Sequence, residues 1–311
     1  MFRDILLVLV GLVLLTVAAD RLVLAAARLA KASGLSPILI GAVVVGLGTS
    51  LPEMLVSGLA AARPGGLDLA LGNIVGSNVA NLALVLGLSV LMSPITGQRF
   101  VLRREGSLVM VASLLLALLA WNGRLGLVEG IVLGFGMFVA LWLLISWSRA
   151  DSRGLEMEEL VPAEDFRPGV EVLFGLGSLG LTLLGARFLV VGAESVAREL
   201  GVSEAVIGLT LVAVGTSLPE LATAIAAARR KENDLVLGNV LGSNLFNALA
   251  VGGVAGIVGN GALTTSFRGP LVGMVAVTAL AGGLAVWGQD RLSRVEGVIL
   301  LATYPLVLAL I

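Results

Sequence analysis

Two glutamates stand at matching places in this chain, each inside a long apolar run and each preceded by the same five residues. Gly48-Thr49-Ser50-Leu51-Pro52-Glu53 returns as Gly215-Thr216-Ser217-Leu218-Pro219-Glu220. A second shared block follows each copy. Leu71-Gly72-Asn73-Ile74-Val75-Gly76-Ser77-Asn78, with Asn81 three residues on, returns as Leu237-Gly238-Asn239-Val240-Leu241-Gly242-Ser243-Asn244, with Asn247 three residues on. The donors in these blocks are all oxygen: carboxylates, hydroxyls, amides and backbone carbonyls. Hard cations such as Ca2+ take about 6–8 such ligands, whereas softer metals favour Cys and His, and the chain has neither Cys nor His. Two carboxylates carry a charge that one Ca2+ neutralises and that several Na+ can neutralise instead. A site that either ion satisfies, but not both together, is an antiporter site.

The local sequence says how such donors are presented. Pro52 has no N–H and its ring clashes with the preceding turn, the residue before it is pushed out of helical geometry, and Gly46 and Gly48 loosen the chain upstream. The helix is expected to break there and leave carbonyls between Gly46 and Thr49 without partners. Ser50-Leu51-Pro52-Glu53 also reads as a capping box that restarts a helix. Capping alone explains one Glu at a helix start, but not one in each half at the centre of an apolar run. Ionisable groups there cost about 2.5–3.5 kcal/mol each and mark ion or proton paths. Small residues at Gly72, Gly76, Ser77 and Ala80 suit close helix packing. Ser77 and Asn81 are four apart and share a helix face, as do Ser243 and Asn247.

The surrounding chain is a membrane protein by composition. Of 311 residues, 58% are hydrophobic and 13% charged, with a mean hydropathy of +1.04. Runs of about 20 apolar residues argue membrane-spanning helices. The net charge of −1 excludes a nucleic-acid binder driven by bulk charge. Absence of Cys removes thiol nucleophiles and thiolate metal sites, and absence of His removes the commonest general base. Phe2-Arg3-Asp4 followed by Ile5–Ala19 has the outline of a signal peptide, but the segment has a counterpart in the second half and is read as the first span.

Ten spans are predicted, at about 4–28, 36–62, 67–92, 105–122, 125–147, 170–198, 203–230, 234–258, 270–287 and 293–311. They divide into a first transmembrane repeat (1–148), an acidic linker (149–169) and a second repeat (170–311). Gly34-Leu35-Ser36 and Gly201-Val202-Ser203 extend the match upstream. Links between odd and even spans hold Arg28, Lys31, Arg99, Arg103, Arg104, Arg149, Arg153, Arg167, Arg229, Arg230, Lys231, Arg291 and Arg294. The other side holds only Arg3, Arg63, Arg124, Arg198 and Arg268. Positive residues stay cytoplasmic, so both termini are expected outside and the linker in the cytoplasm. Five spans per half is an odd number, so the second half enters the membrane inverted, and the two Glu blocks meet near the midplane. The expected fold class is therefore an all-α integral membrane protein of ten transmembrane helices in two inverted five-helix repeats, with broken helices at the midplane. Among the remaining charges, Asp20 aligns with Arg187 and the two are candidates to pair across the pseudo-two-fold axis.

The paired Gly-Thr-Ser-Leu-Pro-Glu and Gly-Asn-x-x-Gly-Ser-Asn blocks resemble the α-repeats of the cation/Ca2+ antiporter superfamily, most closely its compact prokaryotic Na+/Ca2+ exchangers. The likeness covers essentially the whole chain. It implies a carrier, not an enzyme, that alternates access by moving the first and sixth spans over a core formed by the others. It implies a Ca2+ site made by Glu53 and Glu220 with the carbonyls of Thr49 and Thr216. Flanking Na+ sites would use Ser50, Ser77, Ser217 and Ser243 with the carbonyls of Gly46 and Ala213, sharing Glu53, Thr216 and Glu220. Asn81 and Asn247 would line the central cavity. The implied partners are Ca2+, Na+ and the bilayer of the cell (inner) membrane, with no cofactor and no nucleic acid. Some members of the family carry Asp where this chain has Asn247, so no third acid is obvious and the ion ratio stays open. The proton-coupled branch typically reads Gly-Asn-x-x-Glu around its acid, and Thr-Ser-Leu-Pro-Glu favours Na+ as counter-ion. The rival readings are an H+/Ca2+ antiporter on the same fold, a passive channel, and an intramembrane two-glutamate hydrolase. The hydrolase needs cations to grip phosphate or a nucleophile beside a base, and neither repeated block contains Lys or Arg.

Overall fold

A computed structural model of the protein describes residues 2–96, 99–152, 167–201, 213–264, 266–287 and 291–308. The apolar runs fold as helices in the expected order. α1 is Phe2–Ser33. α2 (Pro37–Ile40) continues through a π-helical turn, π1 (Gly41–Gly46), into α3 (Leu47–Thr49), and α4 (Leu51–Ala61) follows after a bend of 46°. α5 (Leu67–Val79), π2 (Ala80–Val85) and α6 (Leu86–Met92) form one continuous rod, and α7 (Arg99–Ala120) and α8 (Leu127–Ser152) complete the first half. The second half has α9 (Pro168–Glu199), α10 (Ala213–Thr216), α11 (Leu218–Arg229) and the rod α12 (Asn233–Leu245), π3 (Phe246–Val251) and α13 (Gly252–Gly259). α14 (Arg268–Trp287) and α15 (Arg294–Leu308) end it. Most of the acidic linker, 153–166, and the start of the expected seventh span, 203–212, lie outside the described residues.

Helix ends overrun the apolar segments where the last turn is basic. α1 continues to Ser33 with Lys31 in its final turn, and α8 continues to Ser152 with Arg149 in its final turn, because cations there complement the helix dipole. Gly34, at φ 66°, then terminates α1 in the left-handed conformation that glycine tolerates.

Among the described residues, six helices are long and apolar enough to cross a bilayer, and the bent pair α2–α4 makes a seventh. Their outward faces are apolar: Leu118, Phe138, Trp142 and Leu173 are 65–73% exposed, a surface that suits lipid and not water. The protein is a mostly helical membrane protein. Its centre is formed by the two rods that carry the Gly-Asn-x-x-Gly-Ser-Asn blocks. In Leu67–Met92 and Asn233–Gly259, 78% and 83% of the most apolar stretch is buried, against 28% for α1, α8 and α9.

The rods reach the middle because their glycines allow backbones to touch. α12 crosses π1 so closely that a Cβ on Gly242 would lie 2.5 Å from the Cα of Ala42. α1 and α9 run antiparallel: a Cβ on Gly11 would meet the Leu189 nitrogen at 2.5 Å, one on Gly185 would meet the Leu15 nitrogen at 2.5 Å, and Arg28 bridges to Glu171 at 2.9 Å near the other end. Contacts also recur between the halves. Gly87 on α6 packs on Gly297 of α15, and its counterpart Gly253 on α13 packs on Gly130 of α8. Four short strands repeat this exchange: β1 (Ile95–Thr96) pairs antiparallel with β4 (Arg291–Leu292), and β2 (Arg124–Leu125) pairs with β3 (Gly261–Ala262).

Asp20 does not pair with Arg187. Its carboxylate accepts from Arg230 Nε at 2.8 Å and Nη2 at 2.7 Å, because α1 lies along α11 and brings Asp20 to that helix's C-terminal end.

Gly242→Ala is expected to lower the melting temperature of the detergent-solubilised protein by overpacking the crossing, a cost of about 1–3 kcal/mol. Gly106→Ala, where the added Cβ meets no described atom within 4 Å, should leave it unchanged or raise it. Equal melting temperatures for the two variants would contradict the close crossing.

Candidate functional site

Both helix breaks have one geometry. Ser50, between α3 and α4, has φ −82° and ψ 4°, and Ser217, between α10 and α11, has φ −89° and ψ 6°. Each is followed by a helix with Pro in its first turn. Neither serine makes a side-chain capping bond, which departs from the capping box expected at Ser50–Glu53. An N-cap hydroxyl works from extended backbone, and ψ near 0° aims these side chains away from their own helix. Ser50 instead donates to the opposite half, with its Oγ 3.0 Å from Glu220 Oε1.

Glu53 and Glu220 occupy the first turn of the restarted helices, where the helix dipole favours negative charge. They are 1% and 0% exposed. Each faces the hydroxyls of the other break: Thr49 and Ser50 approach Glu220, and Thr216 approaches Glu53. Apart from Thr216 and its own backbone amide, Glu53 has no hydrogen-bond partner for its carboxylate among the described residues, and Glu220 Oε2 has none. The two carboxylates lie within electrostatic reach of each other.

Other predicted residues surround this pair. Asn81 and Asn247 are the second residues of π2 and π3, buried at 1% and 0%, with both amide atoms unpartnered among the described residues. π2 packs against α11 and π3 against α4, so each asparagine-bearing turn lies on the glutamate-bearing helix of the other half. The Oγ atoms of Ser77 and Ser217 are likewise buried and unpartnered among the described residues. Ser243 Oγ donates to the Gly46 carbonyl at 3.3 Å. Ala213 opens α10 and Thr216 closes it.

The Gly46 carbonyl is not freed by the break. It accepts from Ser50 N at 3.0 Å and from Thr49 Oγ1 and Ser243 Oγ, each at 3.3 Å. The cause is register: Ser50 still completes the preceding turn, and Pro52 removes the donor two residues further on.

Sequence reasoning missed two supports and three turns. Asn239 Nδ2 donates to the Glu220 carbonyl and to Thr223 Oγ1, both at 3.1 Å, and its Oδ1 lies 3.5 Å from Thr49 Oγ1. This one amide ties together both breaks. Asn239 belongs to the repeated block, so its signal was present without a role; Thr223 lies between the two duplicated blocks of its half and had none. The π turns also had no signal in hydropathy, though such turns concentrate at functional sites. The blocks' remaining asparagines are partly satisfied within the framework: Asn73 Nδ2 donates to Ser57 Oγ at 2.9 Å, Asn78 Nδ2 contacts Met274 Sδ at 3.5 Å and Asn244 Nδ2 donates to the Val240 carbonyl at 2.8 Å, while the Oδ1 atoms of Asn78 and Asn244 have no partner among the described residues.

Buried carboxylates, hydroxyls and amides converging on broken helices in a lipid-facing helical fold define an ion-handling membrane protein. The model of the sodium/calcium exchanger protein family matches residues 4–146 and 171–311, nearly the whole chain, and the protein belongs to that family. It is accordingly a transporter and not an enzyme. It is 39% identical to the putative antiporter CaxA of Alkalimonas amylolytica, over 96% of this chain and 95% of that one. It is 37% identical to the inner membrane protein YrbG of Escherichia coli K12, over 90% and 94% of the two chains. Its structure superposes on the sodium-calcium exchanger NCX_Mj, soaked with Na+ and Ca2+, with a TM-score of 0.86 at 30% identity, covering 98% of this chain and 97% of the other.

Because the Ser50 hydroxyl donates to the buried Glu220 and does not cap its own helix, Ser50→Ala should lower the melting temperature of ion-free protein by the equivalent of about 1–3 kcal/mol and should also reduce the rise that Ca2+ produces, since ligand stabilisation follows affinity. A Ca2+-induced rise equal to that of wild type would remove the hydroxyl from the ion site.

Proposed function

We propose that the protein is a secondary antiporter that exchanges Ca2+ for Na+ by alternating access at a site shared by Glu53 and Glu220. The observation that carries this reading is the crossed pairing of the breaks, in which each glutamate meets the hydroxyls of the opposite half inside a buried shell of amides. Ca2+ would be held by the two carboxylates and the carbonyls of Thr49 and Thr216. Na+ would occupy flanking positions built from Ser50, Ser77, Ser217, Ser243 and the Gly46 and Ala213 carbonyls, with Glu53, Thr216 and Glu220 shared. Asn81 and Asn247 would line the centre. The names of NCX_Mj and CaxA as exchanger and antiporter support the assignment.

The proposed fold is ten spans in two inverted five-helix repeats, 1–148 and 170–311, joined by the linker 149–169. The exchanged contacts Gly87–Gly297 and Gly130–Gly253, and the strand pairs that follow the same rule, support it. The distribution of basic residues supports both termini outside and the linker in the cytoplasm, and the relative's name supports an inner membrane.

Electrostatics gives the reason for obligatory exchange. Two buried carboxylates without a cation cannot cross a low-dielectric barrier, because an uncompensated buried charge costs several kcal/mol. The carrier therefore reorients only when loaded, and one Ca2+ or a set of Na+ are the alternative loads. The α1–α9 pair, zipped to itself by glycine contacts and Arg28–Glu171, is the element that would slide over the core and move access from one side to the other.

Uptake of 45Ca into proteoliposomes loaded with Na+, compared with K+ or choline and with an imposed pH gradient, tests the coupling. Uptake is expected only with internal Na+, and uptake driven by the pH gradient alone would replace Na+ with H+. Glu53→Gln and Glu220→Gln should each reduce Na+-driven uptake at least a hundredfold while the protein remains folded. Exchange at the wild-type rate in either variant would remove that glutamate from the site.

A further inference from the structure

A groove of about 470 Å3 opens between α1 and α11, with Leu189 of α9 at its side. One wall carries Leu12, Leu15 and Val17, the other Leu218, Leu221 and Ile225, and Asp20, Arg21 and Arg229 stand together at one end. Its length is informative. From Leu218, the neighbour of the Ser217 break, to Arg229 is eleven residues of α11, or about 16 Å at 1.5 Å per residue. Half of a ~30 Å hydrocarbon core is about 15 Å. The groove, from the residue next to the helix break to its charged end, is therefore about as long as one leaflet is deep.

The charged end is basic in excess. Asp20 already accepts from two nitrogens of Arg230, Nε and Nη2. Arg21 and Arg229 lie within electrostatic reach of the same carboxylate, but neither makes a hydrogen bond or ion pair with a described residue, and both are exposed. Glu232 is the other acid near Arg230, so three arginines stand beside two acids. An apolar channel one leaflet deep, ending in two guanidiniums with unused donors, matches an acyl chain and a phosphodiester in one molecule. Arginine forks fit phosphate oxygens, and basic pockets between membrane helices take anionic headgroups.

We propose that this groove binds one anionic phospholipid, with an acyl chain against α1 and α11 and its phosphate on Arg21 and Arg229. The Asp20–Arg230 pair forms the wall beside the headgroup and stays intact. The lipid would touch α1 and α11, the helix that carries Glu220.

Native mass spectrometry of delipidated full-length protein, given equal amounts of phosphatidylglycerol and phosphatidylethanolamine with the same chains, tests this. Wild type should retain one phosphatidylglycerol in preference. Arg21→Gln/Arg229→Gln should lower that retention at least fivefold without changing the phosphatidylethanolamine signal. Ala222→Trp, which fills the groove, should lower retention with both arginines present. Arg63→Gln/Arg124→Gln, removing charge elsewhere, should have no effect. Melting temperatures confirm that each variant is folded. Equal phosphatidylglycerol retention in wild type and the Arg21/Arg229 variant, full retention in the Ala222 variant, or an equal loss in the Arg63/Arg124 control would each overturn the proposal.

Discussion

Two carboxylates buried in the interior of a lipid-facing bundle are the constraint around which the rest of the chain is organised. Such groups are expensive away from water, and the expense grows when they share one region of low dielectric. The chain meets it locally by placing each carboxyl on the first turn of a restarted helix, and across the halves by turning the hydroxyls of one break toward the glutamate of the other. Helix breaks, π turns and buried amides are themselves unfavourable in hydrocarbon. They persist here because they surround those carboxylates and are enclosed by other helices.

Glycine contacts are the means by which the framework closes over this polar centre. Without the approach of Gly242 to Ala42, the α12 rod could not bring Ser243 to the carbonyl of Gly46. Without Asn239, the two breaks would lack their common tether to Thr49 and the Glu220 carbonyl. The outer pair α1–α9 is built differently. Its contacts are mostly with itself along a glycine seam, and its polar link to α11 is the exposed Asp20–Arg230 pair. A centre fixed by buried hydrogen bonds and a periphery joined mainly by apolar packing and a solvated ion pair is the division that the proposed sliding requires.

Much of this was legible in the residues. The duplicated Thr-Ser-Leu-Pro-Glu located both breaks, because Pro acts on its own turn whatever surrounds it. The apolar runs located the helices, because lipid imposes length and composition directly. Reading failed where the outcome depends on partners distant in sequence. Ser50 has the sequence signature of a cap, but its backbone angles send the hydroxyl to Glu220. Asp20 aligns with Arg187 in the repeat, but α1 lies along α11 and delivers Asp20 to Arg230. The Gly46 carbonyl keeps its partners because the break comes at Ser50. The π turns at Asn81 and Asn247 leave no mark on hydropathy, since an added residue in a helical turn changes direction and not composition.

On the proposed reading, both glutamates grip one Ca2+ that Na+ displaces. Calorimetric titration of the purified protein with Ca2+, at a series of Na+ concentrations, tests that claim directly. The account predicts one Ca2+ per chain in wild type, weakened by Na+ with a dependence steeper than first order, and no detectable Ca2+ binding when either Glu53 or Glu220 is Gln. Two independent Ca2+ sites, each lost with only one of the glutamates, or Ca2+ affinity indifferent to Na+, would contradict it.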